Sequence, residues 1–161
     1  MKNIKQIEKK IVTRNDWEKL KNHFQSKKIV FTNGCFDILH LGHVHYLSAA
    51  KDLGDILVIG LNSDDSVKRL KGENRPMNTQ YARALLLAAL QFVDFVIVFD
   101  EDTPLNLIQQ ITPHVLVKGG DYKIEDVVGA EWVMAHGGKV EIVDFVEGYS
   151  STNLIKKKNM L

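Results

Sequence analysis

Short apolar stretches recur along the chain, and stretches with a helical pattern separate them. The stretch DILVIGLNSD is apolar over most of its length, which is typical of a strand that is covered on both faces of a sheet. Because such strands alternate with helices, we predict an α/β fold: a Rossmann-like, doubly wound parallel sheet of about five strands with flanking helices. The predicted strands occupy residues 28–31, 55–64, 95–99, 114–120 (with an exit loop) and 139–145.

The segments between these strands show the periodicity of amphipathic helices. Trp17, Leu20 and Phe24 recur at helical spacing in the first segment, and apolar residues form a continuous stripe along 79–93. The Thr-Pro pair at 103–104 predicts a helix start, with the threonine as N-cap and the proline in the first turn. The predicted helices cover residues 15–26, 43–53, 79–93, a segment from 103, 124–136 and a segment from about Thr152.

Two stretches do not follow this alternation. Residues 65–78 are polar and contain Gly72 and Pro76, so we predict an irregular loop there, close to the ligand site. Residues 1–27 precede the first strand, and we expect them to form an N-terminal helical extension. The remaining residues, 28–161, are numerous enough to bury the core of a single domain.

The composition narrows the kind of protein. Lys and Arg number 21 and Asp and Glu number 20, a balance that argues against a broad nucleic-acid surface. No apolar run reaches the ~20 residues that a membrane-spanning helix needs. Cys35 is the only cysteine, so no disulfide can form within the chain, and the polar N-terminus lacks the apolar core of a signal peptide. We therefore expect a cytoplasmic protein with neither a nucleic-acid nor a membrane partner.

Polar residues collect where the predicted strands end. Ligands of parallel α/β sheets bind beyond the carboxyl ends of the strands, so polar segments at several such ends predict one shared site. The sequence contains no G-x-x-x-x-G-K-[ST], and no G-x-G-x-x-G follows the first strand, so a phosphate must be held in another way. The polar segments run from Thr32 to Asp37, from Asn62 to Asp64, from Lys118 to Asp121 and from Gly148 to Thr152.

Two histidines mark the start of the helix after the first strand. His40 and His43 are three positions apart, so their rings can face the same side and add N–H donors to the positive end of the helix. Gly42 removes a side chain where a phosphate would approach. A solvent-facing helix cap is an alternative, and a zinc site is a weaker one because soft ligands are few. His45 lies off the shared face and is interpreted as a structural or surface residue.

The segment around these histidines resembles the signature of a known enzyme family. FTNGCFDILHLGH contains H-x-G-H, the hallmark of the nucleotidyltransferases that include the cytidylyltransferases. The resemblance covers about residues 28 to 158, and it implies that 28–161 form a nucleotidyltransferase domain. The further segments resemble the branch that adenylylates D-glycero-β-D-manno-heptose 1-phosphate, and they are GLNSDDSVKRLKGENRPMN, VDFVIVFDEDTP, VLVKGGDY and EGYSSTNLIKK.

The resemblance implies a role for each residue of the site. His40 and His43 would be the catalytic pair, binding the triphosphate and stabilising the transition state. Arg75 and Arg83 would contact the phosphate of the acceptor. Lys71, in the polar segment before them, is a further candidate for this contact, with a solvated loop charge as the alternative. No residue is expected to bind a metal directly. The residues expected near the nucleotide are Thr32, Asn33, Gly34, Cys35, Phe36, Gly42, Asn62, Lys118, Gly119, Asp121, Ser150, Ser151 and Thr152.

Ordinary structural roles remain open for several of these residues. Arg83 could be a solvated helix residue, Lys118 could cap a strand end, and Cys35 is expected to be a packed thiol rather than a nucleophile. Two departures from the family pattern also occur. The S-T-T segment of relatives is S-S-T at 150–152, which keeps the hydroxyl, and Tyr81 stands where relatives often carry Glu.

The resemblance further implies a reaction. An oxygen of the sugar 1-phosphate would attack the α-phosphorus of ATP, giving ADP-heptose for lipopolysaccharide core synthesis and releasing pyrophosphate. Mg²⁺ would be held mainly through the triphosphate, and a homodimer is expected. One alternative is a cytidylyltransferase acting on glycerol 3-phosphate or another polyol phosphate. A second is a nucleotide-binding module without chemistry, against which the retained histidine pair argues.

Overall fold

A parallel β-sheet forms the centre of the molecule in the computed structural model, which describes residues 1–120 and 122–144. Within these residues the sheet has five strands in the order β3-β2-β1-β4-β5, and every neighbouring pair is parallel. Helices connect the strands, so the predicted α/β Rossmann-like fold is confirmed. The strands are β1 (Ile29–Gly34), β2 (Ile56–Asn62), β3 (Phe95–Phe99), β4 (Val115–Gly119) and β5 (Lys139–Val143).

Apolar residues cover both faces of the sheet. Alternate residues of β1 show this directly, because Val30 packs into the cluster on one face and Phe31 into the cluster on the other. None of the helices among the described residues is long and apolar enough to cross a membrane. The helices are α1 (Lys2–Glu8), α2 (Arg14–Leu20), α3 (Leu41–Asp52), α4 (Asp64–Lys71), α5 (Gln80–Ala88), α6 (Leu105–Ile111) and α7 (Ala130–Ala135), with 3₁₀ turns at Lys21–Phe24 and Ile124–Asp126.

The prediction of an irregular loop over 65–78 was wrong for its first half, which forms α4. Ser63 caps this helix, since its Oγ accepts a hydrogen bond of 3.0 Å from the amide of Ser66. Acidic residues occupy the first turn and basic residues the last, and these charges stabilise the helix by interacting favourably with its dipole. The helix buries little apolar surface, and its polar composition therefore looked like that of a loop. The remainder, from Gly72 to Asn78, lies outside regular secondary structure.

Two predicted helix boundaries also differ. The helix predicted at 124–136 is a 3₁₀ turn followed by α7, because Gly129 between them has φ +86°, a left-handed conformation that ends regular α-helix. Helix α6 begins at Leu105 with Pro104 at its cap, one residue later than a threonine cap requires. The helix predicted from about Thr152 falls outside the described residues.

The N-terminal segment packs onto the sheet. Ile11 forms a parallel bridge with Val96, and the ammonium of Lys10 donates to the carbonyl oxygen of Val93 at 2.8 Å. Trp17 is fully buried against Phe95, with the ring centroids 5.6 Å apart. The boundary predicted at residue 28 stays a prediction, but the apolar core includes side chains that precede it.

Candidate active site

A cavity of about 500 Å³ opens at the carboxyl edge of the sheet. The strands β1, β2 and β4 end there, α3 begins there and α4 ends there. This is the edge at which the polar segments were expected to meet. The structure thus brings together predicted site residues that are up to 86 positions apart in the chain, Asn33 and Gly119. The predicted site residues that line the cavity are Asn33, Gly34, Cys35, Phe36, His43, Asn62, Lys71, Lys118 and Gly119.

The two histidines stack on each other at the start of α3. His40 is the N-cap residue with an extended backbone, and His43 lies in the first turn, so the spacing places their ring centroids 3.8 Å apart. The Nδ1 atom of each ring is buried and has no hydrogen-bond partner among the described residues. A buried nitrogen without a partner is costly, and an arriving ligand can satisfy it.

Burial keeps both rings neutral. It lowers the pKa of His40, and burial followed by the charges of His40 and Lys71 lowers the pKa of His43 to about 4. The charge of His40 acts in this direction because two stacked imidazolium rings would repel each other. At neutral pH the pair therefore meets an anion as two neutral rings that each carry one N–H donor.

The turn after β1 supports this pair from one side. The ring of Phe36 packs against His43 with centroids 5.2 Å apart, and Phe36 has a positive φ of 43°, which is uncommon for a bulky residue. Gly34 allows the arrangement, because a Cβ there would lie 3.0 Å from the Phe36 ring. Gly42 is buried in the first turn of α3. Strain at this turn is consistent with a site that holds a specific geometry.

A buried tyrosine that the sequence analysis did not select, Tyr46, joins α3 to β1 and β4. The hydroxyl of Tyr46 donates to the carbonyl oxygen of Val117 at 3.1 Å, and so the Thr32 hydroxyl must donate to Tyr46 across their 2.5 Å contact. Burial raises the pKa of Tyr46, which keeps it protonated. Thr32 is itself fully buried, and its role toward a nucleotide stays a prediction. Tyr46 follows His43 by three positions, a spacing that places both on one helix face.

Lys118 brings a positive charge into the cavity. Its ammonium donates to the side-chain oxygen of Asn33 at 2.9 Å, and it forms no ion pair within residues 1–120 and 122–144. Burial lowers its pKa. An ammonium in this position favours an anionic ligand beside the histidines.

The cysteine of the motif is not suited to covalent chemistry. Burial raises the pKa of the Cys35 thiol, more than the nearby charges of Lys71, Arg83 and Arg75 lower it. The thiol is therefore protonated at neutral pH and a poor nucleophile. This arrangement agrees with the expected packed thiol.

The two predicted arginines lie beside the cavity rather than in its lining. Arg75 donates from Nε to Asp37 at 2.5 Å, while its Nη2 is buried without a partner among the described residues. Arg83 is only 1% exposed, and all three of its guanidinium nitrogens are bonded to protein oxygens. Its predicted contact with a substrate phosphate gains no support from this arrangement and stays a prediction.

Other predicted positions lie elsewhere. Tyr81 is exposed and donates to the carboxylate of Glu8 at 2.8 Å, linking α5 to α1. His45 is exposed on α3. Among the described residues no group of three or more His, Cys, Asp or Glu side chains is arranged to hold a metal ion. The remaining predicted site residues lie outside the described residues, and they are Asp121, Ser150, Ser151 and Thr152.

Several known proteins are similar to this chain in sequence over part of their length. The bifunctional protein HldE of Geobacter sulfurreducens is 62% identical over 133 residues, which are 83% of this chain and 27% of that protein. The bifunctional protein HldE of Campylobacter fetus is 57% identical over 151 residues, which are 94% of this chain and 32% of that protein. The chain thus spans less than a third of the length of these relatives.

Solved structures and a family model agree with these matches. The lipopolysaccharide core biosynthesis protein from Thermoplasma volcanium superposes with a TM-score of 0.60 at 32% identity, covering 77% of this chain and 99% of that one. Pantothenate synthetase from Thermus thermophilus, with a TM-score of 0.63 at 18% identity over 92% of this chain and 70% of that one, shares the fold. Residues 31–157 match the family model described as cytidylyltransferase-like. With the stacked histidines of H-x-G-H at the edge of a sheet of this topology, the chain belongs to the cytidylyltransferase-like family.

Proposed function

We propose that the chain is an adenylyltransferase that transfers AMP from ATP to D-glycero-β-D-manno-heptose 1-phosphate. The observation that carries the proposal is the neutral histidine pair, stacked at a helix start with unsatisfied buried nitrogens, of which His43 lines the cavity together with Lys118 and Lys71. Such a cavity suits the phosphates of two substrates, a triphosphate beside the histidines and Lys118 and an acceptor phosphate beside Lys71. The choice of heptose 1-phosphate rests on the resemblance of the motif series, and the relatives named HldE and lipopolysaccharide core biosynthesis protein support it.

The proposed reaction is an in-line displacement at phosphorus. A phosphate oxygen of the sugar 1-phosphate forms a bond to the α-phosphorus of ATP, and the bond to the bridging oxygen of the β-phosphate breaks. Pyrophosphate leaves with that electron pair. His40 and His43 donate to phosphate oxygens on which charge builds, and the Lys118 ammonium offsets that charge. No protein nucleophile is needed, so positioning and electrostatics account for the rate.

A divalent ion fits this proposal only as a companion of the nucleotide. Mg²⁺ prefers oxygen ligands and keeps several waters, and substrate phosphates commonly supply its contacts. Three acidic residues among the described ones line the cavity, Asp37, Asp102 and Asp126, and the first two are already paired with arginines. We therefore place Mg²⁺ on the triphosphate rather than on a protein cage. A homodimer, with neither a nucleic acid nor a membrane as partner, completes the proposal.

A cytidylyltransferase acting on glycerol 3-phosphate or another polyol phosphate is the second candidate, and the family description favours it. The histidines contact phosphate in either case, so they do not choose the base. The choice must come from groups that meet the base edge. A buried donor or acceptor left unpaired costs about 1–3 kcal/mol, so two mismatches give roughly 100-fold preference or more.

The test is pyrophosphate release from a panel of nucleotides and phosphates. We expect the highest kcat/KM for ATP with heptose 1-phosphate, measured against CTP, GTP and UTP with the same sugar and against ATP and CTP with glycerol 3-phosphate. A preference for CTP with glycerol 3-phosphate would replace the proposal by the second candidate. Nucleotide binding without pyrophosphate release for any pair would indicate a binding module instead.

A further inference from the structure

A buried carboxylate fastens the loop that follows α4 to the H-x-G-H segment. Asp37 is 2% exposed, and its Oδ1 accepts hydrogen bonds from the amides of Met77 at 2.7 Å and Asn78 at 3.2 Å. Its Oδ2 accepts from Nε of Arg75 at 2.5 Å. The backbone oxygen of Asp37 also accepts from the side-chain amide of Asn78 at 2.8 Å. One residue of the motif thereby holds three residues of a loop about 40 positions later.

A buried arginine, Arg83 of α5, holds the end of the same loop through a second set of hydrogen bonds. Arg83 donates from Nη1 to the carbonyl oxygen of Cys35 at 2.6 Å and from Nε to that of Asn78 at 3.1 Å. Its Nη2 donates to the carboxylate of Asp64 at 2.8 Å, in the first turn of α4. The guanidinium thus joins the motif, the end of the loop and the helix that precedes the loop. A lysine has a single ammonium and does not reproduce this planar fork.

The charges of Asp37 and Arg83 are buried, and burying them costs desolvation free energy. Burying an ion carries a desolvation penalty that an ion pair does not always repay, so such residues are weak evidence for stability alone. What they position is positive charge. Lys71 lines the cavity, and Arg75 keeps a buried Nη2 donor without a partner among the described residues. Both lie close enough to the Cys35 thiol to lower its pKa against the larger effect of burial.

We propose that Asp37 and Arg83 are positioning residues: they hold the loop of residues 72–78 against the H-x-G-H segment, so that Lys71 and Arg75 meet the phosphate of the acceptor. This rests on the proposed function for the identity of the acceptor. It also assigns Arg83 a role through other residues instead of a contact with substrate. Among the described residues no hydrogen bond joins His40, His43 or Lys118 to residues 72–78, so we expect the larger effect on the acceptor and the smaller one on ATP.

The test uses Asp37→Asn, which keeps one acceptor oxygen for the loop amides but replaces the other by a donor facing Arg75, and Arg83→Lys, which keeps the charge but loses the fork. For both variants we expect the KM for heptose 1-phosphate to rise about 10-fold or more, since small misplacements of binding groups cost this much. The KM for ATP should change less than about 2-fold. Asn78→Ala is the alternative if either buried variant fails to fold. It removes one hydrogen bond to the Asp37 backbone and should raise the KM for heptose 1-phosphate by a smaller factor.

Asp94→Asn is the matched control. Asp94 also accepts from a cation and a backbone amide, Lys51 at 2.5 Å and Leu57 at 2.7 Å, but at the opposite edge of the sheet. It should leave both KM values unchanged. Equal changes for the two substrates, or an acceptor KM like that of the control, would overturn the proposal.

Amide hydrogen exchange separates this proposal from the proposed function. Exchange at Met77 and Asn78 should speed up by about 10-fold or more in Asp37→Ala, which removes the oxygen that accepts from both amides, and not in Asp94→Ala, whether or not the chain turns over ATP. If the wild-type chain shows no activity with heptose 1-phosphate while this exchange changes, the substrate assignment fails and the loop attachment stands. Unchanged exchange would refute the attachment itself.

Discussion

His43 is the side chain on which the proposed chemistry depends most. We predict that His43→Ala lowers turnover by roughly 100-fold or more, the scale of losing one donor to the transition state. The fold should lose little stability, because the variant loses the packing of this ring on Phe36 and His40 but no hydrogen bond at its Nδ1 atom among the described residues. Pyrophosphate release and thermal unfolding measure the two effects. His45→Ala, on the exposed side of the same helix, is the control, and near-normal turnover of the folded His43 variant would exclude it from the chemistry.

The titration of the same residue gives a prediction on stability. Its pKa falls from 6.5 to about 4 in the folded chain, so between these values the unfolded chain binds the proton more readily. The contribution of neutral His43 to the free energy of unfolding is therefore complete above pH 6.5 and is lost as the pH falls toward 4. Denaturant unfolding at several pH values should show a smaller acid-side loss for His43→Ala than for the wild type. Parallel curves for the two proteins would contradict the burial of this ring.

At the scale of elements, Tyr46 ties α3 to two strands of the sheet. Tyr46→Phe removes the hydroxyl that links Thr32 and Val117 and leaves buried polar groups unpaired. We predict a loss of about 1–3 kcal/mol in the free energy of unfolding. Denaturant titration measures it. Tyr81→Phe, at an exposed tyrosine, should cost less than about 0.5 kcal/mol, and an equal cost for both would show that the Tyr46 link contributes nothing specific.

At the scale of the whole molecule, the N-terminal segment completes the core on one face of the sheet. Trp17 is fully buried between Phe24 and Phe95, with ring centroids 6.2 and 5.6 Å away. We predict that Trp17→Ala lowers the free energy of unfolding by about 3–5 kcal/mol, the usual cost of such a truncation. Turnover per folded molecule should not change, because the site lies at the carboxyl edge of the sheet.

Chemical unfolding and a turnover assay at low temperature decide this prediction. Trp132→Ala provides the comparison, since Trp132 is half-buried and stacks on His136. A wild-type unfolding curve for Trp17→Ala would mean that the segment before residue 28 is an extension that the domain does not need.

The sequence by itself determined the features that depend on neighbours along the chain. Apolar runs between helical stripes predicted the five strands of a parallel sheet, because the periodicity of a strand or a helix is local. The three-residue spacing of His40 and His43 likewise predicted two rings on one face, which the structure shows stacked. Helix α4 was missed, since its stability comes from a cap and charges rather than from an apolar stripe.

Only the tertiary structure decided which residues support the site. Asp37 meets Arg75 across 38 positions and Arg83 meets Cys35 across 48, and Tyr46 reaches Val117 across 71. A sequence pattern records the type of a side chain but not its partner, and the partner decides whether an arginine faces a ligand or braces a loop. Arg83 shows the difference: the resemblance implied a phosphate contact, which stays a prediction, whereas the structure shows a buried guanidinium bonded to protein oxygens, because a charge removed from water must be paired where the fold places it.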